Sequence, residues 1–287
     1  MSTYVPPSQT LSEAWLRTLE IVDGGGGRMV NVLTTVQQPG SEIPSLRSLV
    51  DDVLAPGRHG GKTIQTVETV ANTIFPISLY RDCGFGWDPS LPHDAELELD
   101  EAASDLYEAY ETMLPELLTA NGNRNGTYFG RMATWPGKEG GGRNQLADRI
   151  KYLRLAHGRG ERTHNVADIA VGGEAEGLDE DVDLGIQTYS ARDIRQRAFP
   201  CLVHVDLTLF DGRLSMLAVY RHQLLITKGY GNLAGLSRLL RFLAQQSGFE
   251  VGELAVQATL ADAERESYGG RGGIANLIGR ARSAMPT

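Results

Sequence analysis

FPCLVHVDLTLFDGRLSMLAVYRHQLLITKGYGN, residues 199–232, is the stretch whose reading decides the fold. Asp211-Gly212 stands between two apolar runs, the strongest short-range signal for a tight hairpin turn, so 201–212 and 213–222 read as paired strands. The first strand is two-sided. It turns Cys201, Val203, Val205, Leu207 and Leu209 to one face and Leu202, His204, Asp206, Thr208 and Phe210 to the other. Such a strand wants cover on both faces. Beyond the hairpin, Leu233, Leu236, Leu239, Leu240 and Leu243 recur at helical spacing, which predicts a helix from Asn232 to Gly248.

Outward from this segment, 253–264 reads as a further strand and the glycine-rich tail after Tyr268 as irregular chain before a short last helix. Upstream, Ser12 is placed to cap a first helix carrying Trp15, Leu16, Leu19 and Val22, ended by Gly24 to Gly27. MVNVLTTVQ (29–37) reads as a strand, 45–55 and 63–75 as helices, Asp94 to Ala120 as a long helix and Asn144 to Leu155 as another. NGNRNGTYFGR (121–131) reads as a turn into something irregular, 157–181 as a polar surface insertion or mobile loop, and 183–191 as a strand. Residues 1–10, polar and proline-bearing, read as a loose arm. No repeat and no shift of composition divides the chain, so the expectation is one α+β domain over residues 1–287.

Composition narrows the function classes. The 287 residues carry 27 Lys and Arg against 36 Asp and Glu, a net charge of −9. A nucleic-acid binder usually shows the opposite balance. Two cysteines, Cys83 and Cys201, can build neither a disulfide framework nor a four-cysteine zinc site, which fits a reducing compartment. No basic-then-apolar leader opens the chain and no apolar run is long enough to span a bilayer. The expectation is a cytoplasmic protein without membrane or nucleic-acid partners.

PGRHGGKT (56–63) ends as a phosphate-binding loop does, but Pro56 stands where the opening glycine belongs and Gly57 comes one residue late. There is no H-E-x-x-H and no G-x-S-x-G, the histidines are scattered, and no metal site is expected. Chemistry concentrates instead at Cys201, whose bland reading is a small buried hydrophobe.

The residues after Cys201 change that reading. FPC (199–201), YRHQL (220–224), TKGYGN (227–232), the helix that follows and DAE (262–264) together resemble the thymidylate synthase and deoxycytidylate hydroxymethylase superfamily. Arg221 and Asn232 follow Cys201 by 20 and 31 residues, the family's spacing without a gap. TYFGRMATW (127–135) with NQLADRIKYLR (144–154) is similar to the family's segment before its nucleophile, and Val67-Glu68-Thr69 sits where the family carries a helical glutamate. The matching covers about 121–154 and 199–264.

The resemblance implies a thymidylate synthase-like mixed sheet with flanking helices, assembled as a homodimer through its late strands. It implies transfer of a methyl or hydroxymethyl unit from 5,10-methylenetetrahydrofolate to C5 of a pyrimidine nucleoside monophosphate. A thiolate adding at C6 makes C5 nucleophilic. The implied roles are nucleophile for Cys201, phosphate fork and thiolate partner for Arg221, uracil-edge reader for Asn232, proton mover for Glu68, and cavity wall for Tyr128. Arg28 matches the family's mobile phosphate arginine. Arg192, Arg195 or Arg197 stand in for the arginines the family lends across its dimer.

Departures are equally specific. Leu224 replaces the folate-orienting aspartate, and Asp262-x-Glu264 replaces the sugar-binding His-x-Tyr. Residues two apart on a strand share a face, so both carboxylates are expected to accept from a ribose diol. Plainer readings stand beside these: Arg221 in a surface ion pair, Asn232 as a helix cap, Glu68 solvated, Tyr128 in the core, and Asp262 and Glu264 as surface carboxylates. The alternative function is a non-catalytic, nucleotide-binding dimeric paralogue.

Overall fold

The computed structural model describes residues 3–55, 58–59, 62–120, 123, 126–135, 142–159, 186–187 and 200–286. In chain order these form β1 (Thr3–Tyr4), β2 (Ser8–Thr10), α1 (Leu11–Gly24), β3 (Arg28–Gln38), α2 (Pro44–Leu54), β4 (Arg58–His59), β5 (Lys62–Thr63) and α3 (Val67–Ile74). A 3-10 turn (Ile77–Leu79) leads to α4 (His93–Leu117), α5 (Tyr128–Ala133), α6 (Gln145–Arg159) and β6 (Ile186–Gln187). Then come β7 (Leu202–Phe210), β8 (Arg213–Tyr220), β9 (Gln223–Leu224), a π-helical turn (Leu225–Gly229), α7 (Tyr230–Ser247), β10 (Glu250–Asp262) and α8 (Gly270–Ser283). The chain is mixed α/β, with parallel and antiparallel strand pairs and flanking helices. The expected insertion at 157–181 lies outside the described residues except for the end of α6, and so does most of the strand expected at 183–191.

The residues gather into two compact units. The first comprises Met1–Phe75, Ala218–Leu239 and Gly252–Thr287. In it, β3 pairs with β1 and β2 in parallel and with β10 antiparallel, and β9 runs parallel to β10. Val32, Thr34 and Val36 stand in register with Ala258, Val256 and Leu254, and all six are buried. Helix α1 lies against β3, with Trp15, Leu19 and Val22 buried and the Thr18 and Thr34 hydroxyls 2.8 Å apart. Thr10, not Ser12, caps α1: its hydroxyl accepts from Glu13 N at 3.1 Å while the Glu13 carboxylate accepts from Thr10 N at 3.2 Å, a capping box. Ser12 is buried instead, accepting from Ile43 N at 2.8 Å. Helix α3 starts at Val67 because Thr66 caps it and Thr63 belongs to β5. Gly231 and Gly235 let α7 meet α3 directly, since a Cβ at Gly231 would lie 2.6 Å from Val70 Cβ and one at Gly235 2.7 Å from Ala71 O. Strands β4 and β5 pair antiparallel, Arg58 with Thr63, so Lys62-Thr63 opens no helix as a phosphate loop would require.

The second unit comprises Pro76–Leu217 and Leu240–Val251. Leu99, Ala102, Leu106, Tyr110 and Leu114 form the buried stripe of α4. The end of the segment expected to be irregular, 121–131, enters a short helix, α5, at Tyr128, because Thr127 caps it by accepting from Gly130 N at 3.1 Å. Phe129 anchors it, edge-on to Tyr110 with ring centroids 4.6 Å apart. Asp211 and Gly212 hold φ of 50° and 72°, the paired positive values of a type I′ hairpin turn between β7 and β8. In β7, Leu202, Val205 and Leu207 are buried while Phe210 is 68% exposed, so the expected strict alternation shifts phase near His204.

Candidate functional site

Cys201 sits immediately before β7, unbridged and partly exposed. Tyr128, the first residue of α5, reaches it through its phenol oxygen, which accepts from Cys201 N at 3.2 Å and from Leu202 N at 3.3 Å. These two predicted residues are brought together. The cap at Thr127 and the Phe129 anchor set the ring, and Pro200 constrains the approach of the strand. Burial, reinforced by the Cys201 charge, pushes the Tyr128 phenol up to about 12. Arg131, three residues further along α5, is 1% exposed and acts on that phenol in the opposite sense. The sequence reading missed Arg131, and only its i+3 spacing from Tyr128 could have flagged it.

The other predicted residues belong to the first unit. Arg221 follows β8; its side chain is exposed and its carbonyl accepts from Leu260 N at 3.1 Å. Asn232 is not a cap. It is the third residue of α7, 5% exposed, and its amide has no hydrogen-bond partner among the described residues. The helical path starts earlier than the leucine pattern indicates, at the π-turn, because Glu264 takes over capping. The Glu264 carboxylate accepts from Ile226 N at 2.8 Å, Thr227 N at 2.7 Å and Thr227 Oγ1 at 2.8 Å. These are the amides a helix start leaves unpaired.

That finding corrects the diol expectation. Asp262 ends β10, and Glu264 has left the strand with φ of 55°, so the alternation that would put both carboxylates on one face does not apply. Neither is a surface group. Asp262 accepts from Arg28 Nε at 2.8 Å and from Glu264 N at 2.7 Å, with His222 Nε2 at 3.7 Å. Arg28, 57% exposed, thus pairs with another predicted site residue and also lies 3.4 Å from Glu266. Desolvation pushes the Glu264 carboxyl up against the pull of its three hydrogen bonds.

Glu68 is not simply solvated. Arg238 forks onto it at 2.7 and 2.8 Å, and Arg47 stands 3.5 Å away. The Arg238 hydrogen bonds hold the Glu68 carboxyl below its usual range. Arg238 was missed although the signal was present: Gly231, Gly235 and Arg238 share a helical face at spacings of four and three. Leu224, in β9, is the register partner of Asp262. Arg192, Arg195 and Arg197 lie outside the described residues.

Among the described residues no cluster of His, Cys, Asp and Glu could hold a metal ion, and no helix is long and apolar enough to cross a membrane. What the geometry defines is a mixed α/β protein presenting a thiol whose backbone is pinned by a phenol. The chain matches no protein-family model and no curated protein sequence.

Proposed function

We propose that this chain transfers a one-carbon unit to C5 of a pyrimidine nucleoside monophosphate through a covalent Cys201 adduct, as a divergent relative of thymidylate synthase and the hydroxymethylases. The observation that carries the reading is the seating of Cys201: a partly exposed, unbridged cysteine at a strand start whose main chain is fixed by the Tyr128 hydroxyl. A nucleophile needs both access and a held position. As the S–C6 bond forms, the C5–C6 electron pair moves toward the C4 carbonyl and C5 becomes able to attack an electrophile.

Asn232 supports the base assignment. A buried amide without a partner among the described residues offers a donor and an acceptor together, the complement of the uracil 3-NH and 4-oxo edge. Arg221, exposed beyond β8, is the phosphate fork. Glu68, kept ionised by Arg238, acts as a proton acceptor toward ordered water. Asp262 and Glu264 are occupied by protein donors, so ribose is not preferred over deoxyribose.

The donor implied by the resemblance is 5,10-methylenetetrahydrofolate. Leu224 supplies no charge to orient it, and the neighbouring Asp262 carboxylate is already bonded to Arg28 and Glu264 N. The residues present do not fit the folate as the family holds it. This favours, as a second reading, a paralogue that binds the nucleotide without completing transfer. A second copy of this chain is the proposed partner. In the first unit Tyr4, Leu33 and Gln257 form a row across β1, β3 and β10, and Tyr4 is 59% exposed.

Incubation with 5-fluoro-dUMP or 5-fluoro-UMP, with and without methylenetetrahydrofolate, followed by intact-mass spectrometry tests the proposal. A nucleotide adduct lost in Cys201→Ser is expected. Nucleotide binding without any adduct favours the paralogue, and no binding of either nucleotide overturns both readings.

A further inference from the structure

We infer that a polar cavity in the core of the first unit is a binding site for a single internal water, which pins the π-helical turn leading into α7. The cavity has a volume of about 10 Å³ and is lined by Thr18 of α1, Thr34 of β3, Gln223 of β9, and Leu225 and Gly229 of the turn. Thr18, Thr34 and Gln223 are 3%, 4% and 5% exposed, so bulk solvent does not serve them. Counting protons shows what they lack. The Thr18 hydroxyl donates to Ala14 O at 2.7 Å and stands 2.8 Å from the Thr34 hydroxyl, so the proton between the two comes from Thr34. The Thr34 oxygen then keeps its own acceptor capacity. The Gln223 side-chain amide has no hydrogen-bond partner among the described residues, and it offers a donor and an acceptor. A buried amide left unpaired is costly. A water needs room of about 10–15 Å³ and roughly two to four polar partners, which this cavity supplies, whereas a cavity with apolar walls alone stays dry. No carboxylate lines it, so a metal cation would go unneutralised. The water would join α1, β3 and β9 beneath the turn, beside the Trp15 indole that donates to Leu225 O at 2.7 Å. Glu264 holds the next two residues of the same turn, Ile226 and Thr227, by their amides.

This site does not depend on the proposed Cys201 adduct, and its test needs no nucleotide. Oxygen-17 relaxation dispersion of the solvent reads waters held long inside a protein, and it is compared between the full chain and Gln223→Met, which keeps the length of the side chain and removes the amide. The variant is expected to lose the contribution of a single long-lived water. Thr34→Val, which keeps the shape and removes the hydroxyl, is expected to shorten the residence of that water by about tenfold, the effect of one hydrogen bond. If neither variant folds, the unaltered protein decides: cross-relaxation from water to the Leu233 methyl groups, which also line the cavity, is expected. Dispersion that is the same in the full chain and Gln223→Met overturns the inference. So does the absence of that cross-relaxation, or a signal that needs sodium or potassium, which would make the occupant an ion. A dry cavity beside a Cys201 adduct would sink this site and leave the proposed function standing.

Discussion

Glu264 shows how one side chain can govern a local fold. Its carboxylate satisfies two backbone amides and a hydroxyl at the start of the path into α7, from a left-handed backbone position of its own. Removing it strands buried N–H groups, each costing about 1–3 kcal/mol. Glu264→Ala should therefore lower stability by roughly 3 kcal/mol in urea unfolding, and Glu264→Gln, which keeps one acceptor oxygen, by distinctly less. Equal costs would show that the hydrogen bonds are not the reason. Glu68 makes a pH prediction. Its carboxyl is held below the ordinary 4.5 by Arg238, so its contribution is complete above that value and is lost as pH falls through the lowered folded value. Glu68→Gln should flatten the stability profile below about pH 4.5 and change it little at pH 7 beyond the loss of a half-exposed pair, about 1 kcal/mol or less. A parallel acid profile in the variant would contradict this.

At the scale of elements, the approach of α7 to α3 depends on the absence of two side chains. Gly235 faces Ala71 O so closely that a methyl must push main chain, which is less forgiving than displacing a flexible side chain. Gly235→Ala should cost about 1–3 kcal/mol despite alanine's better helix propensity. If it stabilises the protein, the contact is looser than the geometry states. The same face sets Arg238 on Glu68, so the variant should also reduce the acid sensitivity carried by that pair. Hairpin, long helix and late strand were legible because their signals are local: Asp211-Gly212 for the turn, leucine spacing for α7, β-branched runs for β3. Ser12 and Thr10 compete in the sequence for the cap of α1 because both hydroxyl residues precede an apolar run. Only the reciprocal bond of Glu13 selects Thr10.

For the whole molecule, assembly is the prediction that matters. The strands of the first unit bury one face under their own helix and leave Leu33, Thr35, Ala255 and Gln257 only partly covered on the other. A second copy closing over such a face should make the protein sediment as a dimer at micromolar concentration. An arginine in place of Leu33 should shift it toward monomer, because a charge desolvated at the interface goes unpaired. A monomer in both proteins would remove the homodimer from the proposal.

The sequence by itself determined the mixture of strands and flanking helices and most of the individual elements, because periodicity and turn chemistry are properties of neighbours along the chain; the candidates Cys201, Arg221 and Asn232 came from the family resemblance. It also brought Tyr128 into view, though only as a wall. Tertiary structure alone decided what the polar groups touch: Tyr128 on the Cys201 amide, Arg238 on Glu68, Arg28 on Asp262, and Glu264 on the turn before α7. The partners in these four contacts are separated by 73, 170, 234 and 37 residues. A charged or hydroxyl side chain advertises its chemistry in the sequence, but which donor saturates it depends on which distant backbone or side chain the packing of apolar faces delivers beside it.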